Sequence, residues 1–191
     1  MKNSLNLMMV SEYLKQNTAE YHDAAEKLFN SEKIFNKTFT LEDYKKIIHI
    51  NYLMLLHSED KIFKSLSYRF SEKLQLNQRR KLPLIQKDLK SLSLQNRTAT
   101  YTLEIENEHE ALGMLYVIEG STLGGNVIAR QLSKTEGFDD ITFNFFGCYQ
   151  ENTGSMWKVF KDVLDSEVSK ENYEEVLSGA KKIYTFLLNV N

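Results

Sequence analysis

His22 and Glu26 stand four residues apart, a spacing that puts both on one face of a helix. A carboxylate at that distance can accept a hydrogen bond from one imidazole nitrogen and leave the other free to bind a metal. Thr18 and Ala19 one turn earlier, with Ala25 one turn later, keep the surrounding side chains short, so a flat ligand could lie against this face. The same pattern also fits a histidine that is merely half-exposed or hydrogen-bonded within a helix.

A second face comes from glycines. Gly113, Gly120 and Gly124 recur at intervals of seven and four, with Gly125 beside them, and the stretch "YVIEGSTLGGNVIARQL" from 116 to 132 otherwise reads as helix. Each glycine there costs about 1 kcal/mol relative to alanine. Two explanations compete: close packing of another helix or a local kink, or a planar ligand, carrying a small diatomic molecule, that needs bare backbone.

Other reactive residues carry less. Glu106 and His109 form one Glu-x-x-His motif, whereas di-iron carboxylate sites in helical bundles use a pair of them. Cys148 follows Gly147 in a loop and is available, though poorly placed, as the nucleophile of a thiamin-degrading enzyme. His49 and His57 read as ordinary polar positions, and Trp157 with Phe160 as core.

The elements that must position these residues are helices. The chain has 191 residues, 42% of them hydrophobic, enough for one domain over 1–191. One proline, Pro83, and eight glycines point to long uninterrupted helices and an all-α bundle. The spacing predicts helices over about 7–29, 40–66, 82–94, 107–132 and 155–166, followed by a last one carrying Tyr173, Val176, Leu177, Ala180, Tyr184, Leu187 and Leu188 in one stripe behind a cap at Ser169. Thr40 and Asp43 form a capping pattern. "FDDITFNFFGCYQENTG" reads as a phenylalanine-rich loop.

With 24 Lys and Arg against 26 Asp and Glu, the net charge is −2, and no basic stripe indicates a nucleic-acid partner. A lone cysteine excludes an internal disulfide, and the apolar stretch at the start is too short and interrupted for a signal peptide or a membrane span. A cytoplasmic protein with no membrane partner is expected.

"LKQNTAEYHDAAE" resembles the first-helix signature of heme oxygenases, and "YVIEGSTLGGNVI" resembles their distal-helix signature, in the Glu-Gly-Ser-x-Leu-Gly form of the bacterial, biliverdin-producing branch. "AKKIYTFLLNVN" is similar to the family's last helix, so the likeness runs nearly the length of the chain. The resemblance implies heme between the first helix and a glycine-containing distal helix. His22 would be the proximal iron ligand and Glu26 its hydrogen-bonded support. Gly120, Ser121, Gly124 and Gly125 would form the distal catalytic backbone. Lys15 matches a propionate-pairing lysine, and its two-turn separation from His22, about 10 Å, suits the distance from iron to porphyrin edge. Tyr116 and Lys161 fall near positions that hold propionates, although Lys15, Lys161 and Arg130 would equally fit a solvated helix face.

Two departures stand out. Some relatives order the proton-delivering water with an aspartate where this chain has Ser121, so the relay would run through water, backbone and Ser121 or Asn126. Some carry an arginine where this chain has Asp165. The implied activity uses heme as cofactor and substrate: dioxygen hydroxylates one meso carbon, and ring cleavage yields biliverdin, carbon monoxide and ferrous iron. The chain carries no flavin or nicotinamide fingerprint, so the resemblance implies an external electron donor such as ferredoxin, flavodoxin or a reductase. A non-catalytic heme-trafficking protein is the alternative.

Overall fold

The computed structural model describes residues 8–95 and 102–190, and among these every regular element is helical. They comprise α1 (Val10–Asn17), α2 (Ala19–Leu28), α3 (Glu32–Phe35), α4 (Leu41–Ser65), α5 (Tyr68–Leu74), α6 (Leu82–Ser91), α7 (Glu108–Leu132), α8 (Thr153–Glu167) and α9 (Tyr173–Asn189). None of these is long and apolar enough to cross a membrane.

The first predicted helix is two helices, and its expected start at Leu7 lies outside the described residues. The break falls at Thr18, whose φ of −116° and ψ of 6° leave the α region. Its hydroxyl donates to the Leu14 carbonyl at 2.8 Å, the back-bonding by which Thr competes with the helix ladder. Within α4 the expected cap is realised in full. The Thr40 side chain accepts from the Asp43 N–H, and the Asp43 carboxylate accepts from the Thr40 N–H at 3.0 Å. Asn107 caps α7 by accepting from the Glu110 N–H.

Ser169 does not cap α9. A turn of 3-10 helix over Lys170–Asn172 intervenes, and the Ser169 hydroxyl donates to Glu171 instead. The sequence reading also missed α5, whose seven residues are too few to display a helical period.

The centre of the bundle is the crossing of α7 and α9, made possible by reciprocal glycines. A Cβ at Gly113 would fall inside the Val176 carbonyl, and one at Gly179 would fall inside the Glu110 carbonyl. Beside this contact the buried Glu110 carboxylate accepts from Ser178 and Lys182 of α9. α1, α2 and α4 pack on α9 as well, so α9 is the post around which the molecule is assembled. The phenylalanine-rich segment is a loop, as expected, but an ordered one. Phe138, Phe143, Phe145 and Phe146 are buried, and Asp88 of α6 accepts the N–H groups of Asn144 and Phe145.

Candidate functional site

α2 presents His22 to solvent, with its side chain 60% exposed and its Nδ1 3.8 Å from the Glu26 carboxylate. Asp23 lies 4.0 Å from the same nitrogen. Nδ1 therefore faces the carboxylates and Nε2 is left for another partner, the division of labour expected of a metal-binding imidazole. These three residues form a group able to hold a metal ion among the described residues.

The glycines of α7 divide by function. Gly113 serves the crossing with α9 and belongs to no ligand face, which corrects its grouping with Gly120 and Gly124. Among the described residues a Cβ at Gly124 would meet nothing within 4 Å, and one at Gly120 would make an ordinary 3.5 Å contact with the edge of Trp157. Leu123 and Val127, on the same side of the helix, are 40% and 45% exposed. Gly120, Leu123, Gly124 and Val127 thus make an apolar, low-relief strip open to a ligand. Gly125 points elsewhere, since its Cβ would lie 2.6 Å from the buried Phe146 ring. The Ser121 hydroxyl donates to the Ile118 carbonyl at 2.8 Å, and Asn126 donates from Nδ2 to the Gln150 carbonyl at 3.2 Å.

One residue of α9 bridges the two faces. The Tyr184 ring lies 5.9 Å from that of Tyr21 on α2. Its hydroxyl is pushed up to about 12 by burial and then by Tyr116 of α7, with Thr18 and Glu26 also close enough to act on it.

At the α1 and α8 edge, Tyr116 stacks obliquely on Trp157 at 5.3 Å, Trp157 lies parallel to Phe160, and the Lys161 ammonium sits 5.6 Å from the indole. Phe160 is core, as expected, but Trp157 is only half-buried and covers Gly120. Burial, and then the Asp165 charge, raise the Tyr116 phenol to about 12. Lys15, in the last turn of α1, is exposed and makes no ion pair among the described residues. Asp165 accepts the Ser11 N–H and hydroxyl, so its carboxylate is committed to the start of α1.

Behind the strip lies a feature that sequence reasoning missed. Glu119, the residue before Gly120, is fully buried and pairs with Arg79 and Lys81, themselves 1% exposed. Tyr149 donates to the Glu119 carboxylate at 3.0 Å. Burial is the largest single influence on the Lys81 ammonium and would lower it, but the Glu119 charge and hydrogen bond, with Tyr149 and Cys148, together outweigh it and hold the group above its ordinary range. Glu59 of α4 accepts the N–H groups of Lys81 and Leu82, capping α6 from outside. The one available signal was Glu119 itself, an acidic residue inside an apolar helix run.

The remaining motifs stay apart from the site. His109 bonds Glu175 and Asn172 of the α9 region, and no second Glu-x-x-His partner joins it among the described residues. The Cys148 thiol is pushed up to about 11 by burial.

An all-α bundle with a histidine-bearing helix and a glycine-bare helix on a common post has a structural counterpart. The crystal structure of the NO- and CO-bound heme oxygenase from Neisseria meningitidis superposes with a TM-score of 0.73 at 19% identity, covering 94% of this chain and 88% of that one. The sequence makes the assignment: residues 8–191 match the family model described as heme oxygenase, and the chain belongs to that family. A heme oxygenase from Xanthomonas campestris pv. campestris is 34% identical over 107 residues, which span 56% of this chain and 64% of that relative's length.

Proposed function

We propose that this chain binds heme between α2 and α7 and cleaves it, with dioxygen and electrons from an external donor, to biliverdin, carbon monoxide and ferrous iron. The observation that carries the reading is the open strip at Gly120 and Gly124, on the helix that shares α9 with the His22 helix. A side chain at Gly124 would enter space that none of the described residues fills. The substrate supplies the iron at which dioxygen is reduced and the ring carbon that is oxidised.

The protein's own contribution is binding and orientation. His22 would hold the iron through Nε2, with Nδ1 facing Glu26. Lys15 and Lys161 make no carboxylate ion pair among the described residues and are suited to propionates, and burial keeps the Tyr116 phenol neutral. Leu123, Val127 and the glycines present an apolar, low-relief surface that would exclude water from one face of the ring. Gly125 allows Phe146 to close on the helix from behind. The Ser121 hydroxyl, already donating to Ile118, can accept from an ordered water and so help deliver protons. Ferredoxin, flavodoxin or a reductase would supply the electrons.

The test is hemin titration followed by turnover. Wild type should take up one hemin with an axial-nitrogen spectrum that His22→Ala abolishes. With a reducing partner, air and catalase, the Soret band should fade as biliverdin and carbon monoxide appear. Stable bound heme with no bilin would instead identify a trafficking protein.

A further inference from the structure

We propose that Arg79 and Glu119 form a buried clamp that sets the spacing between α7 and α8 at the heme cleft, making both positioning residues for the orientation of the substrate. The inference rests on the heme-cleft reading above.

The geometry is specific. Arg79 lies between α5 and α6 and directs its guanidinium to three separate elements. Nε donates to the Leu74 carbonyl at the end of α5, Nη1 pairs with Glu119 of α7, and Nη2 donates to the Met156 carbonyl of α8 at 3.2 Å. Its two outer contacts are the residues immediately preceding Gly120 and Trp157. Those are the residues whose approach, 3.5 Å from a Cβ at Gly120 to the indole, closes this end of the open strip. The guanidinium also lies 5.7 Å from the Phe160 ring, on which Trp157 stacks. One side chain therefore touches both supports of the Gly120–Trp157 contact without touching the cleft.

Charge burial of this kind is a weak source of net stability, because desolvation offsets the attraction, so a reason other than stability is wanted for it. Fixing geometry is such a reason. The planar fork of arginine can hold three acceptors in set directions, which a lysine ammonium on a flexible stem cannot. Lys81 and Tyr149 complete the Glu119 carboxylate from the opposite side, so α7 is held against rotation as well as translation. The indole position then limits how far the macrocycle can lie toward Lys161, and with it which meso edge faces Gly124.

The decisive variant is Arg79→Lys, with Glu119→Gln as a second substitution should the first not fold, and Ile85→Ala as a destabilised control in α6. Trp157 is the sole tryptophan, so its fluorescence reads the clamp in heme-free protein. Arg79→Lys should red-shift the emission and increase acrylamide quenching, broaden the hemin spectrum, and raise the minor bilin isomer several-fold. The control should lower melting temperature alone.

If Arg79→Lys lowers the melting temperature but leaves emission, hemin spectrum and isomer ratio at wild-type values, the positioning role is overturned. If emission shifts while wild type takes up no hemin through His22, the clamp stands and the heme reading fails.

Discussion

Asp165 of α8 accepts the backbone N–H of Ser11 at 2.8 Å and its hydroxyl at 2.7 Å, capping α1 from a different helix. Met9, the residue at the cap position, supplies no side-chain hydrogen bond. The first turn of α1 therefore depends on a carboxylate 154 residues away in sequence. The acidic side chain at this position therefore serves α1, to whose first turn its carboxylate is committed.

Asp165→Ala should cost about 1 kcal/mol, the usual worth of a helix cap, read as a lowered melting temperature of the heme-free protein. Asp165→Arg should not restore it, because a guanidinium cannot accept the Ser11 N–H. Melting curves of the three proteins check this, and an Asp165→Arg variant as stable as wild type would contradict the capping role.

The glycines of α7 give predictions of opposite sign. Gly124→Ala should leave the heme-free protein as stable as wild type or slightly more so, since alanine favours helix and the space is open. It should weaken hemin binding or slow bilin formation. Gly113→Ala should destabilise the heme-free protein by at least about 1–3 kcal/mol, because the new methyl collides with the Val176 carbonyl and backbone cannot yield cheaply. Thermal melts with and without hemin separate the two. A clear loss of heme-free stability in Gly124→Ala would make the strip a packing surface.

These cases also show what the sequence could disclose. The period of apolar residues announced α4, α7 and α9, and Thr40 with Asp43 announced a cap, because each signal lies within one turn of chain. The glycines were visible, but their division was not: Gly113 and Gly124 look alike until Val176 is placed beside one and no described residue beside the other. Likewise Thr18 gave no warning of the break between α1 and α2. Arg79 and Lys81 lie 40 and 38 residues before Glu119 along the chain, and only tertiary packing makes the three a cluster. Trp157 read as core with Phe160 from residue type alone, whereas one edge of its ring faces Gly120.

Cys148 should be a slow thiol. Burial raises it to about 11, so near pH 8 about one molecule in a thousand carries the thiolate that reacts. Modification by a disulfide reagent should be slow in the native protein and rapid in denaturant. Cys148→Ser should leave hemin binding and turnover unchanged. Fast native modification would reopen a nucleophilic role for this residue.

The last prediction concerns acid stability. Asp43 is held down to about 2 by the Thr40 N–H first, and, against the opposing effect of burial, also by the Thr40 hydroxyl, Lys33 and Asn30. A carboxyl whose folded value lies below its unfolded value, near 4, contributes stability that is present in full above about pH 4. That contribution is lost as the pH falls toward 2, because the unfolded chain takes up the proton more readily than the folded one. Asp43→Asn removes the titrating group and weakens the capping box, so its melting temperature should lie below that of wild type at neutral pH. The difference should shrink steadily between about pH 4 and pH 2, as wild type loses the same contribution by protonation. Melting curves of both proteins across this window check the assignment. A gap that stays constant down to pH 2 would place the acid sensitivity on another carboxylate.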